Sequence, residues 1–193
     1  MTTITLDLLS LLDLNDEQFY QLCQENSELK IERDAKGHLI VMPPTGGETG
    51  NRNFSVLGQL WAWVEANPEL GLGFDSSTEF SLPNGGDRSP DAAWIALERW
   101  QALTPEQRKK FPPICPDFVI ELRSESDSLS KLQEKMQEYM VSGLRLGWLI
   151  DPKNKVVEIY RQGREVEVLQ SPTILSGEDV LPGFVLILSK IFN

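Results

Sequence analysis

An apolar run of strand length, PDFVIELR at residues 116–123, carries a glutamate in its interior. A run this apolar is typical of a strand in the middle of a sheet, where both faces are covered. Burying an ionised carboxylate without a partner is costly, so Glu121 must be ion-paired, protonated or bound to a metal. The sequence therefore predicts a central strand and a polar partner for Glu121.

A second carboxylate, Asp91 in SPDAAWI, follows Pro90 at the start of another predicted strand. Side chains alternate along a strand, so Glu121 and Arg123 are predicted to share one face. Two carboxylates from neighbouring strands can hold Mg²⁺, which polarises a phosphate and lowers the pKa of a bound water, while a nearby cation stabilises developing charge. This pattern predicts phosphodiester hydrolysis, with Asp91 and Glu121 as metal ligands. The alternative is a buried ion pair of Glu121 with Arg123 or Lys135 and no catalysis.

The length of 193 residues fits one α/β domain, which we expect to span residues 1–193. No segment approaches the ~20 apolar residues of a membrane span, so no membrane partner is expected. The N-terminus has no basic residue before its leucines and carries Asp7 and Asp13 among them, which argues against a secretory signal. A cytoplasmic protein is therefore expected.

Composition limits the chemistry further. The chain has 18 basic and 29 acidic residues, and its net charge of −11 repels nucleic acid at long range, although Mg²⁺ at an acidic site would neutralise part of it. The single histidine, His38, lies beside a predicted turn, which argues against a Ser-His-Asp triad or a histidine-ligated zinc site. Two cysteines are too few for a four-thiolate zinc site.

Apolar periodicity and turn residues predict the order of elements. Helices are expected over residues 15–26, 51–66 and 128–142, with a short helix opening at 104–106. Two hairpins are expected, one over residues 29–44 with its turn at 34–37 and one over residues 156–170. Single strands are expected in the segments 74–83, 89–97, 116–123 and 146–152.

The long helix of the first half is expected to cover a sheet with one apolar face. The residues at helical spacing on that face are Phe54, Leu57, Leu60, Trp61 and Val64. The preceding segment TGGETG, residues 45–50, is expected to be a flexible break.

Pro90-Asp91 followed by Glu121-Leu122-Arg123 resembles the PD-(D/E)xK motif of the restriction-endonuclease superfamily. The longer string PDFVIELRSESDSLSKLQEKMQEYMVSGLRLGWLIDP, with MPPTGGETG and SPDAAWI upstream, resembles the Uma-type endonuclease family, which is abundant in cyanobacteria. The similarity covers residues 31–188. It implies a restriction-endonuclease-like fold, with a central mixed β-sheet flanked by helices and an N-terminal helix and hairpin. It also implies Mg²⁺, or Mn²⁺ as a substitute, and DNA as the substrate.

One position departs from the motif, because Arg123 stands where the superfamily has lysine. Arginine can stabilise a phosphate but stays protonated and cannot act as a general base. The resemblance implies Lys135 as a substitute that positions or activates water, with Lys131 one turn earlier as a second candidate. An ordinary helix-surface role is the alternative for both. The resemblance also suggests Glu48 as a third acidic ligand of the metal. The alternative for Glu48 is a carboxylate that is favoured by the helix dipole at the N-terminus of the long helix.

The expected function is a Mg²⁺-dependent DNA endonuclease in which Asp91 and Glu121 bind the metal. The alternatives are a nuclease fold that has lost turnover and serves as an interaction module, and hydrolysis of another phosphoester. Cutting both strands of DNA commonly requires two active sites, so a homodimer is expected by analogy. Its interface is expected at the hairpin of residues 156–169 or at the helix around Phe54.

Overall fold

The computed structural model describes residues 3–8, 12 and 14–192. The helices are α1 (Asp16–Glu25), α2 (Gly47–Ala66), α3 (Leu97–Gln101), α4 (Pro105–Lys109) and α5 (Leu129–Val141). The strands are β1 (Ile4–Leu6), β2 (Lys30–Arg33), β3 (Leu39–Met42), β4 (Gly71–Asp75), β5 (Phe80–Ser81), β6 (Asp87–Arg88), β7 (Ala92–Ala96), β8 (Phe118–Leu122), β9 (Leu146–Asp151), β10 (Val156–Arg161), β11 (Glu167–Gln170), β12 (Ile174–Ser176) and β13 (Val185–Ile187).

The largest sheet has the strand order β11-β10-β9-β8-β7-β4. Strands β8 and β9 run parallel, and the other neighbours in this sheet run antiparallel. Strand β8 lies in the interior of the sheet, and all five of its residues are buried. The predicted mixed sheet and its central strand are therefore confirmed.

Helices cover both faces of this sheet. On one face, α2 contributes Leu60 to an apolar cluster that contains Phe118 and Ile120. On the other face, α5 contributes Met136 to a cluster that contains Val119. The side chains within β8 therefore alternate between the two faces, while the shared face of Glu121 and Arg123 stays a prediction because Arg123 follows the strand. No helix in the described part of the chain is long and apolar enough to cross a membrane.

A second sheet, with the order β1-β3-β2-β6-β5, contains the predicted N-terminal hairpin. Helix α1 packs over it, with Phe19 in contact with a cluster that includes Ile31 and Leu39. Asn15 caps α1, because its side-chain oxygen accepts a hydrogen bond from the Gln18 backbone N–H. The Asn15 backbone N–H in turn donates to the Gln18 side-chain oxygen. Strands β12 and β13 form a separate hairpin alongside α2.

The predicted flexible break at residues 45–50 is wrong, because α2 begins at Gly47. Gly46 is the extended N-cap residue, and Glu48 lies in the first turn, where the helix dipole favours a carboxylate. The two glycines at this point mark a helix start, and the helix begins four residues earlier than its apolar periodicity indicates.

The apolar face predicted for α2 is also partly wrong. Phe54 and Trp61 are 76% and 64% exposed, whereas Val56 and Leu60 are buried. Trp63, two residues beyond Trp61, is the tryptophan that turns inward, with its ring 5.9 Å from the rings of both Trp94 and Phe184. Which of the two tryptophans is buried therefore depends on aromatic residues from distant parts of the chain.

Candidate active site

Asp91 lies immediately before β7, beside the central strand. Ala92, the first residue of β7, pairs with Ile120, which brings Asp91 to the end of β8 that carries Glu121 and Leu122. Asp91 Oδ2 accepts a hydrogen bond of 2.8 Å from the Leu122 backbone N–H, and Oδ1 accepts one of 3.2 Å from Asn53 Nδ2 of α2. Burial raises the pKa of Asp91 above its usual value. The sheet and α2 together fix the orientation of this carboxylate.

Glu121 is buried within β8, on the face that α5 covers. Its Oε1 lies 2.7 Å from Lys135 Nζ and accepts a hydrogen bond of 3.0 Å from the Tyr139 hydroxyl. Burial raises the pKa of Glu121 to about 7; the Lys135 charge opposes this rise and the Asp91 carboxylate adds to it. Of the two ion pairs considered for this glutamate, the structure contains the one with Lys135.

Lys135 projects from α5 into the protein and is only 7% exposed. Its Nζ lies 2.8 Å from Glu32 Oε1 as well as beside Glu121. Burial lowers the pKa of Lys135, but the charges of Glu121 and Glu32 outweigh burial and raise it above its usual value. Lys135 therefore keeps its proton, and its burial excludes an ordinary surface role. Lys131, by contrast, is exposed and pairs with Glu134 at 3.2 Å.

Glu32 of β2 belongs to this charged cluster, and sequence reasoning missed it. Its Oε1 accepts from the Ser89 backbone N–H at 3.0 Å, and its Oε2 lies 3.0 Å from Arg88 Nη1. Burial raises the pKa of Glu32, but Lys135 and Arg88 outweigh it and lower the pKa to about 2. Arg88 in turn binds Glu138 of α5, with 2.7 Å between Nε and Oε2. The cluster thus joins the two sheets and α5 through alternating charges.

Nothing in the local sequence distinguishes Glu32 from the other charges of its hairpin. It lies 103 residues from Lys135 in the chain, and its role depends on how the second sheet packs against α5. The alternation in the run KIER predicts a strand and does not indicate which polar side chain is buried.

Arg123 and Glu48 are placed differently from the other candidates. The Arg123 guanidinium lies one residue beyond β8 and pairs with Asp151, while its Nε donates to the Asp127 carbonyl at 3.2 Å. The Glu48 side chain is 86% exposed and lies 3.7 Å from Arg52. Among the described residues, no group of three or more His, Cys, Asp or Glu side chains could hold a metal ion. The structure brings Asp91, Glu121 and Lys135 together, and Glu48 as a ligand stays a prediction.

The pair of carboxylates fits a hard divalent cation. Mg²⁺ is usually bound by one or two carboxylates and completes its coordination with water or substrate oxygens. Burial raises the pKa of Asp91 and of Glu121, and a cation bound between them would oppose this rise. The described contacts of the Glu121 carboxylate, to Lys135 and Tyr139, both use Oε1. Asp91 and Glu121 are therefore the residues that would hold such an ion.

Comparisons with known proteins agree with this fold. The structure is similar to the crystal structure of "a putative nuclease belonging to DUF820" from Anabaena variabilis ATCC 29413, with a TM-score of 0.75 and 21% sequence identity over 91% of this chain and 96% of that one. No curated protein matches the sequence. The family model "Uma2: Putative restriction endonuclease" matches residues 16–189, most of the chain. The chain therefore belongs to the Uma2 family of restriction-endonuclease-like proteins.

Proposed function

We propose that this protein is a Mg²⁺-dependent endonuclease that hydrolyses phosphodiester bonds of DNA. The observation that carries the proposal is the position of Asp91, which accepts from the Leu122 backbone N–H at the end of β8, close to Glu121, with the buried Lys135 at 2.7 Å from Glu121. Membership of a family described as restriction endonucleases supports DNA as the substrate. Mn²⁺ has similar oxygen preferences and could substitute for Mg²⁺.

Asp91 and Glu121 would hold the metal. When bound, the ion would polarise the phosphate and lower the pKa of a water molecule. Asp91 is preorganised for this task by the Leu122 backbone N–H and by Asn53. Tyr139 donates to Glu121 and holds its carboxylate in place from the side of α5.

Lys135 acts in this proposal as a fixed positive charge. Because Glu121 and Glu32 raise its pKa, Lys135 remains an ammonium group at neutral pH and does not accept a proton from water. Its three N–H donors already serve Glu121, Glu32 and the Ser89 carbonyl, so it would position the Glu121 carboxylate and stabilise negative charge on the phosphate through its field. This assigns positioning and electrostatic roles to Lys135 and leaves general-base catalysis to another group.

Arg123, at the carboxyl end of β8, would contact the phosphate backbone of the DNA beside the metal site. Its guanidinium is held by Asp151 and the Asp127 carbonyl, which fixes its orientation. Arginine is a permanent cation, so its role would be electrostatic.

A second candidate function is a nuclease fold without turnover that serves as an interaction module. The net charge of −11 favours it, and so does the engagement of Lys135 by two carboxylates. Hydrolysis of another phosphoester would use the same Asp91 and Glu121, and trials with other substrates separate it from DNA cleavage.

Incubation of supercoiled plasmid with purified protein and Mg²⁺ tests the endonuclease proposal. We expect the wild-type protein to nick or linearise the plasmid and Asp91→Asn to leave it at the level of buffer alone. Asp179→Asn, at a side chain that is 87% exposed, is the matched control and should cleave like wild type. Cleavage that persists in Asp91→Asn, or that never occurs on any form of DNA, would contradict the proposal.

A further inference from the structure

A polar cavity of about 110 Å³ opens at the carboxyl ends of β8 and β9. It is lined by Arg52, Arg123, Ser124, Glu125, Asp151 and Lys153. Three of these residues lie at the carboxyl ends of the parallel strands, since Arg123 follows β8, Asp151 ends β9 and Lys153 follows it. Ligands of α/β sheets commonly bind at this edge.

The cavity adjoins the proposed metal site through two of its lining residues. Arg52 precedes Asn53, which donates to Asp91, and Arg123 follows Leu122, whose backbone N–H donates to the same carboxylate. The cavity therefore lies on the side of the proposed metal site where β8 ends, one residue along the chain from each group that holds Asp91.

The lining of the cavity is much less acidic than the protein as a whole. Three cations and two carboxylates line it, and Arg52 also lies 3.7 Å from the exposed Glu48, whereas the whole chain has a net charge of −11. Asp151 is already engaged by Arg123 and by the Asn154 side chain, whose Nδ2 donates at 2.8 Å. Asp151 therefore fixes the Arg123 guanidinium in position, and Lys153 is exposed at the rim.

We propose that this cavity is a phosphate subsite, which binds the phosphate group of DNA that neighbours the one at Asp91 and Glu121. The guanidinium groups of Arg52 and Arg123 supply positive charge that attracts a phosphate, and Lys153 supplies an exposed point charge on a flexible stem. A space of this size holds several water molecules, which a phosphate would displace. The inference rests on the proposed function, because it deepens the substrate contacts of the same site.

Binding of DNA without cleavage tests the subsite. The full chain is titrated into a fluorescein-labelled duplex in EDTA, and anisotropy gives the affinity at two salt concentrations. We expect Lys153→Gln to weaken binding by roughly 3- to 10-fold and to reduce the salt dependence by about one phosphate contact. Lys153→Glu should weaken binding further, and inorganic phosphate should compete less well with DNA for both variants than for wild type.

Lys155→Gln is the matched control, because Lys155 is an exposed lysine in the same turn that does not line the cavity. It should bind DNA within twofold of wild type. The subsite is contradicted when both Lys153 variants bind like wild type, when Lys155→Gln loses as much affinity, or when wild type does not bind the duplex.

Failure of the subsite can be distinguished from failure of the proposed function. Asp91→Asn should bind DNA in EDTA at least as tightly as wild type, although it should not cleave. If the Lys153 variants bind DNA more weakly and neither wild type nor any variant cleaves it, the result supports the subsite and contradicts the nuclease. The opposite result is also possible: plasmid cleavage requires Asp91, and the Lys153 variants bind and cleave DNA as well as wild type does. That result supports the nuclease and contradicts the subsite.

Discussion

Lys135 connects two buried carboxylates that come from different sheets, Glu32 of β2 and Glu121 of β8. Its replacement by methionine would keep much of its volume and leave both carboxylates without this cation. Breaking a buried ion pair by removing one partner typically costs about 3–5 kcal/mol. We therefore expect Lys135→Met to lower the free energy of unfolding in urea by about that amount.

Lys131→Met is the control for this substitution, because Lys131 lies on the same helix and its side chain is 69% exposed. We expect it to change the free energy of unfolding by less than about 0.5 kcal/mol. Equal effects of the two substitutions would show that the contacts of Lys135 with Glu32 and Glu121 do not stabilise the fold.

Glu79, just before β5, is a buried acid outside the catalytic proposal. Its Oε1 has no hydrogen-bond partner among the described residues. Burial, together with the nearby charges of Glu32 and Asp87, raises the pKa of Glu79 to about 9. The side chain is therefore protonated in the folded protein at neutral pH and ionised in the unfolded chain. Its contribution to stability is complete below its usual pKa and is lost as the pH rises towards 9.

Glu79→Gln removes this titration while retaining the shape of the side chain. Between pH 5 and pH 8.5 the wild-type protein should lose up to about 1.4 kcal/mol per pH unit relative to the variant. Urea unfolding at both pH values measures the difference, with the exposed Glu165→Gln as control. A constant offset between wild type and Glu79→Gln across this range would contradict the assignment.

The residues of the candidate site could be predicted only in part. Glu121 could be singled out because it lies inside an apolar strand, where a carboxylate needs a partner, and Asp91 because it opens the neighbouring predicted strand after Pro90. Glu32, Arg88 and Glu79 were not, because their burial depends on contacts between elements far apart in the chain, such as the pair of Glu32 with Lys135 across 103 residues.

The contact between strands β4 and β7 requires a residue without a side chain at position 71. Gly71 pairs with Ala96, and a Cβ atom there would lie 2.2 Å from the Ile95 carbonyl oxygen and 2.5 Å from the Trp94 ring. A backbone atom cannot move aside without shifting β7. Gly71→Ala should therefore reduce the free energy of unfolding by about 1–3 kcal/mol.

Gly47→Ala is the control, since a Cβ at Gly47 meets nothing within 4 Å in the first turn of α2. We expect it to be neutral or to stabilise the protein by up to about 1 kcal/mol, because alanine is the better helix former. Denaturant unfolding compares the two variants. A Gly71→Ala protein as stable as Gly47→Ala would mean that β4 and β7 pack less closely than described.

The main helices and the central strands were predicted, and the faces of α2 were not. The single strand expected over residues 74–83 is wrong, because this segment holds the end of β4, a turn and β5, and the hairpin of β12 and β13 was not predicted. Apolar runs of strand length and the stripe of α5 need no tertiary information, because each has one clear periodicity. Helix α2 carries apolar residues on most of its surface, so its sequence fits more than one orientation. Trp63 faces inward because its ring packs against the rings of Trp94 and Phe184, whereas Trp61 is exposed to solvent.

The exposed aromatic residues of α2 bear on the assembly of the whole molecule. Phe54 and Trp61 lie two helical turns apart on one face, and Gly58 between them has open space where a side chain would project. Two such helices related by a twofold axis can cross at Gly58, with Phe54 of each copy against Trp61 of the other. These four rings would bury on the order of 500 Å², a large part of the ~1,200 Å² that a stable interface needs. We propose that the homodimer forms through this face.

Light scattering coupled to size-exclusion chromatography tests the dimer. The wild-type protein should elute at twice the 21.8 kDa of one chain, and Trp61→Glu should elute as a monomer. Val168→Glu, on the exposed side of the β10–β11 hairpin, tests the other surface expected from the sequence and should remain dimeric. A wild-type monomer, or a dimer lost only in Val168→Glu, would contradict the α2 interface.

The central proposal is that Asp91 and Glu121 together hold a divalent metal. Crystals soaked in Mn²⁺ and measured near the manganese absorption edge locate such an ion directly from its anomalous signal. We expect one anomalous peak between the carboxylates of Asp91 and Glu121 in the wild-type protein and no peak there in Asp91→Asn. No peak at this position under saturating Mn²⁺, or a peak that persists in Asp91→Asn, would contradict the proposal.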